Sequence, residues 1–159
     1  MPTLSSYGQT IASTTLTLQQ LLSAAPAKLQ VTARTLDAAR DGVFGASVNL
    51  FLYHDDLTGY RDGHEPPGTT HNIAELFYLL SAYPGDASDA DAVSHRAFGT
   101  ARAVVQQNPV LAVPFGDRST NVQLRSQSIS MENLAKLWLA SSRPLRLTFG
   151  IIATFTVSG

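Results

Sequence analysis

The run Val48-Asn49-Leu50-Phe51-Leu52-Tyr53 is almost continuously apolar and rich in residues that favour extended backbone. A run of this length without alternation reads as a strand covered on both faces, so the fold must place other elements above and below it. His54-Asp55-Asp56 follow at once and are expected to end the strand. From Asp55 to Asn72 the chain is rich in Asp, Gly, Pro and His, and Pro66-Pro67 forbids regular structure, which predicts a long polar loop. Ile73 to Tyr83 forms a second apolar segment, and its aromatic content and the Tyr83-Pro84-Gly85 stop favour a strand.

Periodicity organises the rest. Leu4, Tyr7, Ile11, Leu18, Leu21 and Leu22 recur at three- and four-residue steps, predicting an amphipathic helix that stops near Ala25-Pro26 and is weakened by Gly8, Thr14, Thr15 and Thr17. Leu29, Val31 and Ala33 alternate with polar neighbours and predict a short strand. An Ala/Asp/Gly-rich connection from Asp37 to Ser47 follows; it carries Gly42 and Gly45 but no Lys-Ser/Thr pair, so it is not a phosphate loop. The polar stretch Asp86 to Asp91 places carboxylates at the start of a helix whose apolar stripe is Ala97, Phe98, Ala101, Val104 and Val105, and Asn108-Pro109 ends it. Val122 and Leu124 suggest a short strand. Ser130 caps a helix carrying Met131, Leu134, Leu137 and Trp138 on one side, closed by Arg143-Pro144. Last, Leu145, Leu147, Phe149, Ile151, Ala153, Phe155 and Val157 alternate with a largely threonine face, predicting a long strand with one buried face. Such a strand needs a neighbour on each edge or a partner from another chain, because bare edges invite pairing.

At 159 residues the chain is expected to form one domain, large enough to bury roughly 70% of the surface its unfolded form exposes. Cysteine is absent, which removes disulfides, thiolate nucleophiles and cysteine metal clusters together. Net charge is −1 and charged residues make up 14%, against about 25% in ordinary globular proteins, so part of the surface is expected to meet other chains. No basic stripe supports nucleic-acid binding. Met1 to Ser6 lack a positive patch and a following long apolar stretch, so neither a signal peptide nor a membrane span is expected, and the cytoplasm is the expected location.

Chemistry-bearing residues cluster only in the predicted loop. His54, His64 and His71 with Asp55, Asp56, Asp62, Glu65 and Glu75 could on paper form a carboxylate-histidine metal site, and with it a metal-dependent hydrolase. Their spacing matches no ligand pattern, and proline in His64-Glu65-Pro66-Pro67 rules out the helical zinc motif, so solvated loop residues are the better reading. No Gly-x-Ser-x-Gly elbow exists. Trp138 reads as core. No enzyme activity, cofactor or metal is expected.

The order of pieces carries more than any one of them. Val48 to Tyr53 is followed by Arg61-Asp62, then Glu75-Leu76-Phe77-Tyr78-Leu79-Leu80-Ser81-Ala82-Tyr83, then Phe98-Gly99-x-Ala101 leading to Asn108-Pro109-Val110-Leu111. Ile129-Ser130-x-Glu132-x-Leu134-x-x-Leu137-Trp138 precedes Leu145-x-Leu147-x-Phe149. This order resembles the N-terminal domain of the cap, or tail-terminator, proteins of phage-tail-like contractile injection systems. The likeness covers most of 48–159; the helix of 1–25 is consistent with it but unspecific. Asp62 and Phe77 stand where the family has Asn and His, and the turn after Tyr53 lacks the family's Pro-Asn.

The resemblance implies an α+β fold, a small mixed or antiparallel sheet flanked by helices, and a structural role. It implies a homohexameric ring on the last rings of the inner tube protein and the sheath protein, halting polymerisation, with no nucleic-acid or membrane partner. Assembly is expected in the cytoplasm, on a particle open to later release. Arg61, Asp62 and His64 in the loop, and Thr148, Thr154 and Thr156 on the terminal strand, are the expected assembly contacts. An adaptor for another particle component is the alternative within the structural class.

Overall fold

In the computed structural model, which describes residues 1–60, 63, 70–85 and 90–159, ten elements run in chain order. A short 3-10 turn (Leu4–Ser6) leads into α1 (Tyr7–Ser23), β1 (Val31–Thr32), β2 (Ser47–Tyr60) and β3 (His71–Tyr83). Then come α2 (Ala90–Gln107), β4 (Val110–Phe115), β5 (Arg118–Gln127), α3 (Met131–Ala140) and β6 (Thr148–Ser158). The strands form one six-stranded sheet in the order β1-β2-β3-β6-β5-β4. Only the β1–β2 pair is parallel, so the sheet is mixed and the fold is α+β.

Helix α1 forms despite its threonines because their hydroxyls turn back onto the helix. Thr10, Thr14, Thr15 and Thr17 each donate to the carbonyl four residues earlier, at 2.7–3.2 Å, which satisfies the polar group. Thr10 and Thr14 can therefore be fully buried alongside Leu18 and Leu22. The two end strands of the sheet, β1 and β4, both pack on α1, so the sheet curls around it. The inner face carries the main core: Val48, Leu50, Leu76, Tyr78, Leu80, Phe149, Ile151 and Phe155 meet Leu18 and Leu22 of α1 and Ala101 and Val105 of α2. A second, smaller core lies on the outer face, where Trp138 of α3 packs with Leu36, Ala39, Leu79 and Tyr83.

Several sequence expectations are corrected. The first long strand does not stop at His54: β2 continues to Tyr60, paired with β3 from Ser47↔Tyr83 to Tyr60↔His71. Tyr53 is an extra residue between the Leu52↔Tyr78 and His54↔Phe77 pairs, a bulge that shifts the register. The ladder holds residues 54–60 extended although all are exposed, so the predicted loop from Asp55 to Asn72 shrinks at both ends. Burial on both faces applies to Ser47–Leu50, while Phe51–Tyr53 are half-buried.

Helix ends fall close to expectation. Ser130 Oγ accepts a hydrogen bond from Asn133 N at 3.2 Å, as an N-cap should. Met131, however, is 68% exposed and does not share the buried side of Trp138. The short strand around Val122 and Leu124 is a full hairpin, β4 and β5, turning at Gly116-Asp117 with Gly116 at φ +58°. Pro114 sits in β4, the edge strand where a missing N–H is tolerated. The terminal strand begins at Thr148, leaving Leu145 and Leu147 exposed before it, and Phe149–Ala153 are buried on both faces. It lies between β3 and β5, so its neighbours come from the same chain.

Candidate assembly surface

Side chains alternate across the sheet, and pairing partners share a face. Residues 74, 76, 78 and 80 of β3 point to the inner core, so Ile73, Glu75 and Phe77 point outward. The registers Ile73↔Thr156, Glu75↔Thr154 and Phe77↔Ile152 put Thr154 and Thr156 on that same outer face. Gln123↔Thr154 and Arg125↔Ile152 extend it across β5, and His54↔Phe77 and Thr58↔Ile73 across β2. The packing of α3 covers only the half of this face near Leu79 and Tyr83. The other half forms an open surface.

That surface is mixed in chemistry. Ile73 and Tyr60 are each 41% exposed, and the Tyr60 ring lies 5.8 Å from His71 while His54 lies 5.3 Å from Phe77. Arg125 Nη2 bonds Glu75 Oε1 at 3.0 Å across the strands. Arg125 is largely solvated and Glu75 partly so, so the pair contributes at most about 1 kcal/mol and mainly fixes where the two charges stand. Half-buried Thr154 and Thr156 supply short side chains over which another chain can approach closely.

The outer edge of β2 adjoins this surface. Strand β1 pairs only with Val48 and Asn49, so from Phe51 to Tyr60 the outer edge of β2 has no strand partner among the described residues. On the inner side Tyr7 Oη donates to Asp55 at 3.1 Å, tying α1 to the projecting part of β2. Burial, with this bond and the Asp55 charge, pushes the Tyr7 phenol up to about 12.

Of the residues expected to make contacts, Thr154 and Thr156 meet on the open face. Thr148 lies at the other end of β6, about 20 Å away at 3.3 Å per residue, beside Ser81 and donating to Arg146 O at 3.1 Å. Arg61, Asp62 and His64 lie outside the described residues. Of the histidines of the paper metal site, His54 lies against Phe77 and His71 against Tyr60, while His64 lies outside the described residues; among the described residues no three His, Asp or Glu side chains converge on a metal position. Ile73, Glu75, Gln123 and Arg125 were not singled out from sequence as members of this surface. Outward alternation around Glu75 would have suggested it, but joining Arg125 to it requires the register of three strands.

The sequence profile described as the Pvc16 N-terminal domain matches residues 13–157. No curated protein matches the chain by sequence. Among solved structures, the fold is similar to the sheath/tube terminator of PVC, an extracellular contractile injection system, in its extended state. The TM-score is 0.65 and the identity 18%, over 95% of this chain and 57% of that one. It is also similar to the tube-terminating cap of the anti-feeding prophage, with a TM-score of 0.60 and 14% identity over 92% of this chain and 54% of that one. At these identities the likeness is one of fold, and the chain spans little more than half the length of each structure it matches.

Proposed function

The chain belongs to the Pvc16 N-terminal domain family, and on that premise we propose that it caps a contractile injection particle, closing the end of the inner tube and sheath away from the baseplate. The profile match over residues 13–157 carries this reading, and the likeness to two terminating caps supports it. Residues 1–159 act as one domain of a homohexameric ring. The role is structural: growing tube and sheath present unsatisfied edges, and a terminator covers them while offering no equivalent edge for the next ring. The half-open outer face, with Thr154, Thr156 and the Glu75–Arg125 pair, is the surface that meets a neighbouring subunit. Arg61, Asp62 and His64 supply further contacts, and Thr148 a separate one. Assembly takes place in the cytoplasm.

A deletion strain tests the proposal. Particles lacking this chain should have tubes of uncontrolled length, restored by the wild-type gene, and a labelled chain should mark the end opposite the baseplate. Thr154→Lys with Thr156→Lys should leave the chain folded, at a cost of up to about 1 kcal/mol for each loss of a strand-favouring residue, yet fail to restore length. Normal particle length in the deletion strain would overturn the capping role, and a label at the baseplate end would favour an adaptor instead.

A further inference from the structure

A cavity of about 330 Å³ opens between the Leu36–Asp41 segment, the turn after β3 and the segment after α3. Three arginines, Arg40, Arg143 and Arg146, line it with two carboxylates, Asp37 and Asp41. Arg40 is committed: its Nη1 donates to Gly45 O at 2.6 Å and Ser47 Oγ at 2.8 Å, and its guanidinium stands 5.7 Å from the Tyr83 ring centre. Arg146 stands 6.0 Å from the same ring. Among the described residues, neither the Arg143 nor the Arg146 side chain makes a hydrogen bond or ion pair.

Trp138 adds a third uncommitted donor beside the cavity. Trp138 lines the cavity and is 2% exposed, and its buried indole Nε1–H has no acceptor. Buried donors in native proteins are nearly always satisfied, so an orphan beside a cavity points to an acceptor that arrives from outside. Two guanidiniums that make no hydrogen bond among the described residues and an indole N–H form a donor set suited to a carboxylate.

We propose that this cavity binds a carboxylate carried by a segment of another protein chain, with Arg143, Arg146 and the Trp138 indole N–H as its donors. Three arginines against two aspartates leave one net positive charge, which suits a monoanion better than a phosphate dianion. Asp37 stays ionised there: the Thr35 hydrogen bond holds its carboxyl below the usual range, with the Arg143 charge assisting. Leu36, Pro84 and Pro144 supply the apolar wall for the aliphatic part of the incoming residue. The donor set accepts either an acidic side chain or a C-terminal carboxylate. The site lies on the α3-covered half of the outer face and stands independently of the capping role.

Trp138 is the chain's sole tryptophan, so its indole resonance in a nitrogen-15 spectrum is a direct reporter. The intact chain is titrated with acetylglutamate α-amide, which offers only a side-chain carboxylate, and with acetylleucine, which offers only an α-carboxylate. The neutral acetylglutamine amide and inorganic phosphate serve as comparisons. The indole signal should move saturably with at least one carboxylate and not with the neutral amide, and the tighter of the two identifies the source. Arg143→Ala with Arg146→Ala, both at exposed positions, should weaken binding about tenfold or more. No saturable movement, equal movement with the neutral amide, tighter binding of phosphate, or unchanged affinity in the double variant would each overturn the proposal.

Discussion

Asn49 is the polar residue inside the apolar run that opens β2, and it is completely buried. Its Oδ1 accepts from Thr32 Oγ1 at 2.7 Å and from Arg34 N at 3.1 Å, while its Nδ2 donates to Arg34 O at 2.9 Å. The backbone ladder between β1 and β2 ends at Thr32↔Asn49, so the amide continues it by one step, gripping both backbone groups of Arg34. Asn49→Ala removes three hydrogen bonds, each contributing about 1 kcal/mol net. Arg34 is exposed, so water can take over its backbone groups, and Thr32 Oγ1 keeps a 3.3 Å bond to Ala39 O. No orphaned group adds to the cost, and the expected loss is about 3 kcal/mol. For a chain of this length that lowers Tm by about 6–12 °C. Thr32→Val removes the bond to Asn49 and the longer, shared one to Ala39 O, and should cost about 1–2 kcal/mol, or about 2–8 °C. Thermal unfolding followed by circular dichroism gives both values, and hydrogen exchange at the Arg34 amide should accelerate in the Asn49 variant alone. A drop for Asn49→Ala no larger than that for Thr32→Val, or an unchanged Arg34 amide, would refute the claim that this side chain holds the edge of the sheet.

Two further outcomes follow from backbone geometry and from titration. At Gly85 φ is +72°, and an added Cβ would stand 2.7 Å from both Ala46 N and Gly45 C, backbone atoms that cannot step aside. Gly85→Ala should therefore cost more than about 2 kcal/mol, and a wild-type Tm would contradict this. Burial pushes the Tyr78 phenol up to about 12, partly offset by its bond to Thr15 Oγ1 at 2.7 Å. An unfolded tyrosine ionises near 10, so the folded chain holds a proton the unfolded chain has released; the contribution is complete below pH 10 and is lost as pH rises to about 12, by roughly 2–3 kcal/mol. Urea midpoints measured across that window should fall more steeply in wild type than in Tyr78→Phe, and equal slopes would count against the assignment.

What was legible in the sequence depended on local causes. Leucines spaced around α1, Ser130 before α3 and Asn108-Pro109 after α2 set helix positions because periodicity, caps and proline act within a few residues. The alternation from Phe149 to Val157 gave the terminal strand for the same reason. The extension of β2 past His54 left no apolar signature, because residues 54–60 are exposed and held by hydrogen bonds to β3. Strand β4 offers only Leu111 and Val113 as buried residues and includes a proline, too little for a pattern. Thr154 and Thr156 could be named from their place on an uncharged strand face. Glu75 and Arg125, fifty positions apart, could not be joined to them in advance.

By itself the sequence determined where helices start and stop, that the apolar runs in 48–53, 73–83 and 149–157 are extended, and that one face of the last strand is short and polar. Those properties follow from side-chain shape, spacing and capping between near neighbours. Only the tertiary structure decided that β6 lies inside the sheet and not at its edge, that among the described residues no strand pairs with the outer side of β2 beyond Asn49, and that α3 covers half of one face and leaves the rest open. It also decided that Arg40, Arg143 and Arg146 converge beside Trp138. Strand order and register are set by which distant surfaces bury the most apolar area together, and no local spacing encodes that choice.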